Sequence, residues 1–221
     1  MSHSVAFLHS STEHVATFDA LLDEAGVELE TLHEVRADWL ERARRSGVDV
    51  SLLAEVRGLL ERLAAQADLV VCTCSTLGPI AESMGREDVF RVDAPMMERA
   101  VAAGGQVLLV LCLESTIDAS RHLLDRSFEA AGREPDYRML MVPDAWPAWE
   151  AGELDSFVGT IVRWVGAALH AEPDIRCIVL GQASMHVARP ALAGAGLTVL
   201  TSPSSAVARI LELLDNTMRL S

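Results

Sequence analysis

The chain alternates between short apolar strands and amphipathic helices, and it does so twice. Residues 68–79, DLVVCTCSTLGP, run from an apolar strand into a small-residue loop that holds Cys74. Residues 175–186, IRCIVLGQASMH, repeat the strand and the loop with Gln182 at the matching place. Strands that alternate with helices form parallel sheets through right-handed crossovers. The sequence therefore predicts an α/β protein of two pseudo-symmetric lobes, each a parallel sheet flanked by helices.

The offset between the two copies places the lobe boundaries. Val5 to Val107 is 102 residues, and Cys74 to Gln182 is 108. We assign residues 1–98 plus 202–221 to the first lobe and residues 99–201 to the second. Ligands in open α/β sheets bind beyond the carboxyl ends of the strands. If a pseudo-twofold axis relates the lobes, these ends face each other, so we expect an interlobe cleft lined by residues 9–12, 74–76, 114–116 and 182–184.

Several local expectations follow from periodicity and turn chemistry. We predict a second strand at Val27–Leu32, a loop at Pro143–Gly152 with exposed Trp146 and Trp149, and a helix at Ser184–Ala193. Ser10 and Glu13 have the spacing of a capping box, which predicts that Ser10 caps the first helix.

Composition excludes several classes of partner. A formal net charge of −14 argues against nucleic acid and against anionic membrane surfaces. The longest apolar run, Gln106–Leu113, is too short to span a bilayer. Backbone N–H groups at helix starts could still bind a small anion locally.

The absence of lysine limits the chemistry. All 18 basic residues are arginine, so the chain has neither the lysine of a pyridoxal phosphate Schiff base nor that of a phosphate-binding loop. We expect no cofactor. The four cysteines show no disulfide spacing and the first residues show no signal-peptide pattern, which predicts a reducing, cytoplasmic location.

Cys74 is the leading catalytic candidate. Loop amides and the start of a helix near Pro79 would favour its thiolate, which could act as a base or, when protonated, as an acid. A buried structural thiol is the alternative. Cys72, two residues earlier, could form a metal pair with Cys74, but core packing is the favoured interpretation.

Polar loop residues are the candidate ligand contacts. Hydroxyl and backbone N–H groups of Ser75, Thr76, Ser115 and Thr116 could bind a carboxylate, although Ser and Thr also cap helices. Ser184 has the place of such a cap, next to Ala183. Gln182 can orient a ligand but has no useful pKa, so it cannot be a second base. His9, at a strand end, or His186 could carry protons instead; the alternative for His186 is a surface or first-turn histidine.

These loops resemble those of the aspartate/glutamate/hydantoin racemase superfamily. Cys74-Ser75-Thr76 is similar to the family's Cys-Asn-Thr, and Leu180–Met185, LGQASM, to its Leu-Gly-Cys-Ala-Gly-Met. The stretch 92–101, VDAPMMERAV, is also similar. The resemblance covers nearly the whole chain and rests on the order and spacing of short motifs.

The resemblance implies cofactor-independent deprotonation beside a carboxylate in a cleft between two α/β lobes. Family members use one cysteine from each lobe. Cys74 matches the first, Gln182 replaces the second, and His9-Ser10 stands where many racemases have Asp-Ser. The resemblance also implies a small carboxylate substrate, with His9, Ser10, Ala183 and Ser184 among its contacts, and a homodimer.

Three functions remain open at this point. The first is a one-cysteine isomerase, decarboxylase or lyase-like enzyme of this superfamily. The second is a non-catalytic protein that binds a small carboxylate in the cleft. The third is a cysteine hydrolase, which requires His9 or His186 beside Cys74.

Overall fold

The chain divides into two compact units. The computed structural model describes residues 3–220, with side chains for all of these except residues 195 and 216–220. One unit comprises Met1–Ala94 and Pro203–Ser221, and the other comprises Pro95–Ser202. We call them the first lobe and the second lobe.

Each lobe alternates strands with helices, as the sequence predicted. The first part of the chain forms β1 (His3–His9), α1 (Glu13–Glu24), β2 (Leu29–Val35), α2 (Ala37–Ser46), α3 (Val50–Ala64), β3 (Leu69–Cys72), α4 (Gly78–Glu82), β4 (Val89–Arg91) and α5 (Ala94–Ala103). The remainder forms β5 (Gln106–Leu111), α6 (Ile117–Ala130), β6 (Tyr137–Met141), α7 (Trp146–Glu150), α8 (Leu154–Ala171), β7 (Ile175–Leu180), α9 (Arg189–Leu192), β8 (Thr198–Thr201) and α10 (Ser202–Leu220). Short 3₁₀ helices lie at Glu114–Thr116, Pro143–Ala145, Ala183–Ala188 and Ala193–Ala195.

The two sheets have the same topology. The first has the strand order β2-β1-β3-β4 and the second β6-β5-β7-β8, and the strand pairs are parallel. In both sheets, therefore, the first strand of the lobe lies between the second and the third. This confirms the predicted fold class of parallel sheets flanked by helices.

The central strand of the first lobe is apolar because helices cover both of its faces. Ala6 and Leu8 pack into a core with α2, α3 and α4. Val5 and Phe7 point to the opposite face, where they pack with residues of α1 and α10. This two-sided burial fixes the register of β1 and brings its carboxyl end, at His9, beside the end of β3.

Two predicted elements differ from the structure in their bounds or type. The second strand is Leu29–Val35 rather than 27–32, because it pairs with β1 along its whole length, from His3 with Leu29 to His9 with Val35. A polar edge strand gives no apolar alternation that would mark its end. The predicted helix at 184–193 is a 3₁₀ helix followed by the four residues of α9.

The predicted tryptophan loop is also wrong. Residues 143–150 form a 3₁₀ helix and α7, in which Pro147 stands at the helix start. Trp146 and Trp149 are half-buried against the second-lobe core. The centroid of the Trp149 ring lies 5.3 Å from that of Phe157. Over the described residues, no helix is both apolar enough and long enough to cross a membrane.

Candidate functional site

Cys74 and Gln182 occupy the same position in their respective lobes. Each lies two residues after a strand, β3 or β7. The residue just before each of them donates its backbone N–H to the neighbouring strand. Thr73 donates to Leu8 O in the first lobe and Gly181 to Val110 O in the second, both at 2.9 Å. The next turn also repeats, with Leu77 N–H on Cys74 O at 3.1 Å and Met185 N–H on Gln182 O at 3.0 Å. The backbone therefore supports the repeat that the sequence suggested.

The Cys74 thiol is buried and surrounded by hydrogen-bond donors. The Ser10 hydroxyl and the backbone N–H groups of Leu77 and Thr76 interact with the sulfur, and each favours the thiolate. Burial is the larger effect, however, and it raises the pKa of Cys74 above its ordinary value. At neutral pH the sulfur thus carries its proton, so this arrangement supports an acid better than the thiolate that the sequence favoured.

Ser10 binds the thiol rather than capping α1. The helix begins at Glu13 with Thr12 at the N-cap position, and no side chain caps it there. Glu13 instead accepts a hydrogen bond from Ser11. The predicted capping box is wrong because the helix starts two residues later than that box requires, which leaves the Ser10 hydroxyl at the end of β1 for Cys74.

A buried ion pair supports the helix that follows Cys74. The Arg91 guanidinium binds Asp93 through two hydrogen bonds of 2.6 and 3.0 Å and reaches Glu82, at the end of α4, at 3.2 Å. Arg91 also lies against the start of α4, where a Cβ on Gly78 would come 2.9 Å from its Nε. A glycine at this position therefore lets α4 pack directly on the buried guanidinium.

His9 is a buried histidine whose two ring nitrogens both bind protein atoms. Nδ1 lies 2.9 Å from Thr73 Oγ1 and Nε2 lies 2.8 Å from His33 Nδ1. The Thr73 hydroxyl donates to Leu8 O, so it accepts from His9 Nδ1–H. Burial, together with the nearby histidines, lowers the pKa of His9 to about 3. The structure thus places His9 in the support of the Cys74 loop, with neither nitrogen on the thiol.

Gln182 connects the ends of two strands of the second lobe. Its Oε1 accepts a hydrogen bond from the backbone N–H of Cys112 at 2.9 Å, and its Nε2 donates to Thr116 Oγ1 at 3.0 Å. Thr116 in turn donates to Leu113 O at 2.7 Å. The side chain is buried, and these contacts hold the loop after β5 against the loop after β7.

The other predicted contacts lie in the same strand-end loops. Ser75, Ala183 and Ser184 are buried, whereas Thr76 and Ser115 are half-buried. Ser184 does not cap a helix, because its buried Oγ makes no hydrogen bond with any residue that the structure describes. His186 Nδ1 lies 3.0 Å from Thr201 Oγ1, at the end of β8.

His14, in the first turn of α1, was not among the site residues predicted from the sequence. Its ring is buried and stands edge-on to that of His9, with the ring centroids 6.0 Å apart. Neither ring nitrogen has a hydrogen-bond partner among the residues that the structure describes. The spacing of His14, Phe18 and Leu22 on the buried face of α1 was the signal that could have found it.

The chain is similar to solved racemase structures along nearly its whole length. A glutamate racemase isoform from Bacillus anthracis superposes with a TM-score of 0.74 at 12% identity, over 97% of this chain and 82% of that one. An aspartate racemase from Picrophilus torridus gives 0.68 at 10%, over 96% and 94%. An allantoin racemase from Klebsiella pneumoniae gives 0.62 at 18%, over 98% and 89%.

The chain has the fold of these racemases. This confirms the fold that the loop motifs implied. No protein-family model matches the sequence, and neither does any curated protein. The similarity is therefore one of three-dimensional structure at low sequence identity.

Within this racemase fold, the other cysteines lie in the core. Burial raises the pKa of Cys72, Cys112 and Cys177 to about 12. None of the four cysteines forms a disulfide. Across the described residues, no group of three or more His, Cys, Asp or Glu side chains is arranged to hold a metal ion.

Proposed function

We propose that this protein is a cofactor-independent enzyme of the aspartate/glutamate/hydantoin racemase superfamily that uses Cys74 as its proton carrier. The reaction takes place at a carbon next to a carboxylate. The observation that carries the proposal is the setting of Cys74: a buried thiol after the third strand of a racemase fold, hydrogen-bonded to Ser10 and two backbone amides.

The chemistry is one-sided because only one of the two equivalent positions holds an ionisable group. Gln182 has no useful pKa, and its amide is engaged with Cys112 and Thr116. A single proton carrier suits a reaction in which a carbanion forms by loss of a group other than a proton. We therefore favour decarboxylation or a related isomerase or lyase reaction over two-base racemisation.

In the proposed reaction of a malonate, one carboxylate is lost as carbon dioxide and a proton takes its place. The bond between the central carbon and one carboxylate breaks, carbon dioxide leaves, and the electron pair enters an enolate of the remaining carboxylate. The Cys74 thiol then donates its proton to the carbon, and solvent returns a proton to the thiolate. A thiol whose pKa is raised by burial is a suitable donor, because it carries its proton at neutral pH.

We assign the carboxylate contacts to hydroxyl and amide groups of the strand-end loops. The candidates are Ser75, Thr76, Ser115, Thr116 and Ser184. Ser184 is supported by its buried hydroxyl, which binds no described residue. We also propose that the protein is cytoplasmic and forms a homodimer. Light scattering on the purified protein would test the dimer.

A panel of small carboxylates and ureides tests the proposed activity. D- and L-glutamate, D- and L-aspartate, allantoin and phenylmalonate are incubated in deuterated buffer, and NMR follows Cα–H exchange and carbon dioxide loss. We expect exchange or decarboxylation with at least one compound, lost in Cys74→Ala and retained in Cys177→Ala, which removes another buried thiol. Failure of every compound to show Cys74-dependent turnover would falsify the proposal.

A non-catalytic carboxylate-binding protein is the second candidate. This candidate is favoured by Gln182, because its amide connects two loops and does not titrate, so it cannot transfer a proton to a substrate. In that case a compound of the panel raises the melting temperature equally in wild type and Cys74→Ala, without turnover. A cysteine hydrolase has less support, because both ring nitrogens of His9 bind Thr73 and His33 instead of the thiol.

A further inference from the structure

His14 is a buried polar side chain that the proposed mechanism does not use. It begins the buried face of α1, which continues with Phe18 and Leu22. Phe18 packs on the rings of Phe7 and His9, so this face of the helix lies on the sheet. His14 is one turn nearer the helix start, and its ring meets that of His9, the last residue of β1. The imidazole therefore lies at the carboxyl edge of the first-lobe sheet.

The internal repeat gives an independent placement of His14. Leu8 and Val110, which accept the equivalent backbone hydrogen bonds, are 102 residues apart. At this offset the buried series Thr116, Ser120 and Leu124 corresponds to His14, Phe18 and Leu22. His14 thus takes the position of Thr116, whose hydroxyl binds the side chain of Gln182. Because Gln182 corresponds to Cys74, the repeat places His14 at the same strand-end edge as Cys74, which packs in the core on the other face of the sheet.

The difference between the two lobes lies in what these equivalent side chains bind. Thr116 accepts from Gln182 and donates to Leu113 O, so its hydroxyl is satisfied. The Cys74 thiol is hydrogen-bonded to Ser10. Neither nitrogen of His14 has a hydrogen bond to a described residue, although the side chain is only 6% exposed. Most buried side-chain polar atoms in proteins are hydrogen-bonded, so an unbonded imidazole at the carboxyl edge of a parallel sheet points to a ligand.

We propose that His14 is a substrate contact of the first lobe, where its imidazole N–H donates a hydrogen bond to a carboxylate oxygen of the ligand. The inference rests on the proposed function and names the contact that selects the ligand. The start of α1 favours negative charge through its backbone N–H groups. The Arg91 guanidinium is already paired with Asp93 and Glu82. We therefore assign recognition of the ligand carboxylate to the neutral N–H of His14 and not to this cation.

Burial supports this role because it keeps the ring in the form that can both donate and accept. The pKa of His14 is lowered to about 4 by burial, which the neighbouring Glu13 offsets only in part. At neutral pH the ring is therefore uncharged, with one N–H and one free lone pair. Leaving such a group buried without a partner is unfavourable.

His14→Phe separates a ligand contact from a structural residue. Phenylalanine has a similar shape and removes the two unbonded nitrogens, so we expect the melting temperature to stay the same or rise. Binding is measured by calorimetry with D-glutamate, L-aspartate and phenylmalonate as probes. We expect the probe that binds wild type to bind His14→Phe ~10- to 100-fold more weakly, since a hydrogen bond to a charged group is lost.

Two further variants complete the experiment. His14→Gln keeps an N–H donor and should restore binding to within ~10-fold of wild type, which a packing role would not require. Leu22→Met alters the same buried face of α1 two turns away and should leave binding unchanged. Unchanged binding by His14→Phe would overturn the inference, as would failure of wild type to bind any of the probes.

The two proposals fail in different ways. If a probe binds in a His14-dependent manner but shows no Cys74-dependent exchange or turnover, His14 remains a ligand contact and the enzymatic proposal is lost. If turnover depends on Cys74 while binding is the same in His14→Phe, the enzymatic proposal stands and His14 is a core residue.

Discussion

The Gln182 side chain bridges the loops that follow two neighbouring strands of the second lobe, accepting the backbone N–H of Cys112 at 2.9 Å. A cysteine side chain is shorter and has one sulfur in place of the separate amide oxygen and nitrogen, so it could not reproduce both hydrogen bonds, to Cys112 and to Thr116. The amide of Gln182 thus connects two loops, and it has no pKa useful for proton transfer. In the first lobe, Cys74 is held by Ser10 and two backbone amides.

Replacing Gln182 by methionine should destabilise the protein. The substitution keeps the volume of the side chain but leaves the buried N–H of Cys112 without an acceptor, which costs about 1–3 kcal/mol in the free energy of unfolding. Urea unfolding checks the value. The matched control is Gln106→Met, which removes an exposed hydrogen bond to Asp136 and should change stability by less than about 0.5 kcal/mol.

The Cys74 thiol should react slowly at neutral pH. Because burial raises its pKa, the midpoint of its alkylation rate against pH should lie above that of an exposed thiol, at about 8.5. The Ser10 hydroxyl lowers this pKa, so Ser10→Ala should move the midpoint further upward. Iodoacetamide labelling located by peptide mass spectrometry measures both. A midpoint that shifts downward in Ser10→Ala would contradict the hydrogen bond.

Acid should destabilise the protein through its buried histidines. The pKa values of His9 and His14 are lowered to about 3 and about 4, from 6.5. Above pH 6.5 both states are neutral, so stability does not depend on these groups. As the pH falls below 6.5, the unfolded chain takes up protons that the folded chain does not bind. Each histidine then costs up to ~1.4 kcal/mol per pH unit, until the folded pKa is reached.

His14→Phe provides the test of this pH dependence. We expect urea unfolding to lose about 2 kcal/mol less between pH 7.5 and pH 5 in His14→Phe than in wild type, because one of the two groups is gone. Leu22→Met, on the same face of α1, should keep the wild-type difference. An identical difference in His14→Phe and wild type would show that His14 gains its proton equally in both states.

The ion pair beneath α4 should be sensitive to loss of either its geometry or its charge. Gly78→Ala introduces a Cβ 2.9 Å from Arg91 Nε, and overpacking of this kind costs about 1–3 kcal/mol. Asp93→Asn leaves the buried guanidinium with a weaker partner and should cost more, about 3–5 kcal/mol. Urea unfolding measures both.

Gly58→Ala is the matched glycine control. Its added Cβ would lie 3.8 Å from Arg62 Nη1, an ordinary contact, and alanine favours the helix α3 in which it lies. We expect this variant to gain up to about 1 kcal/mol. Equal effects of Gly58→Ala and Gly78→Ala would show that the close approach of Arg91 is not what requires glycine at position 78.

Local sequence patterns were enough to predict the order of strands and helices and the equivalence of Cys74 with Gln182. These depend on local patterns: an apolar run covered on both faces reads as a buried parallel strand, and a small-residue loop marks its end. The predictions that were wrong also concerned local features. The polar strand β2 has no alternation, and Ser10 has the spacing of a cap although α1 begins only at Glu13.

The hydrogen-bond partners of the polar side chains could be identified only from the three-dimensional structure. The partners are far apart in the chain: His9 and Thr73 are separated by 64 residues, and Cys112 and Gln182 by 70. Periodicity carries no information about such pairs, because it reports which face of an element is buried and not what lies opposite. That His14 is buried beside His9, and without a hydrogen bond to a described residue, depends on how α1 packs on its sheet.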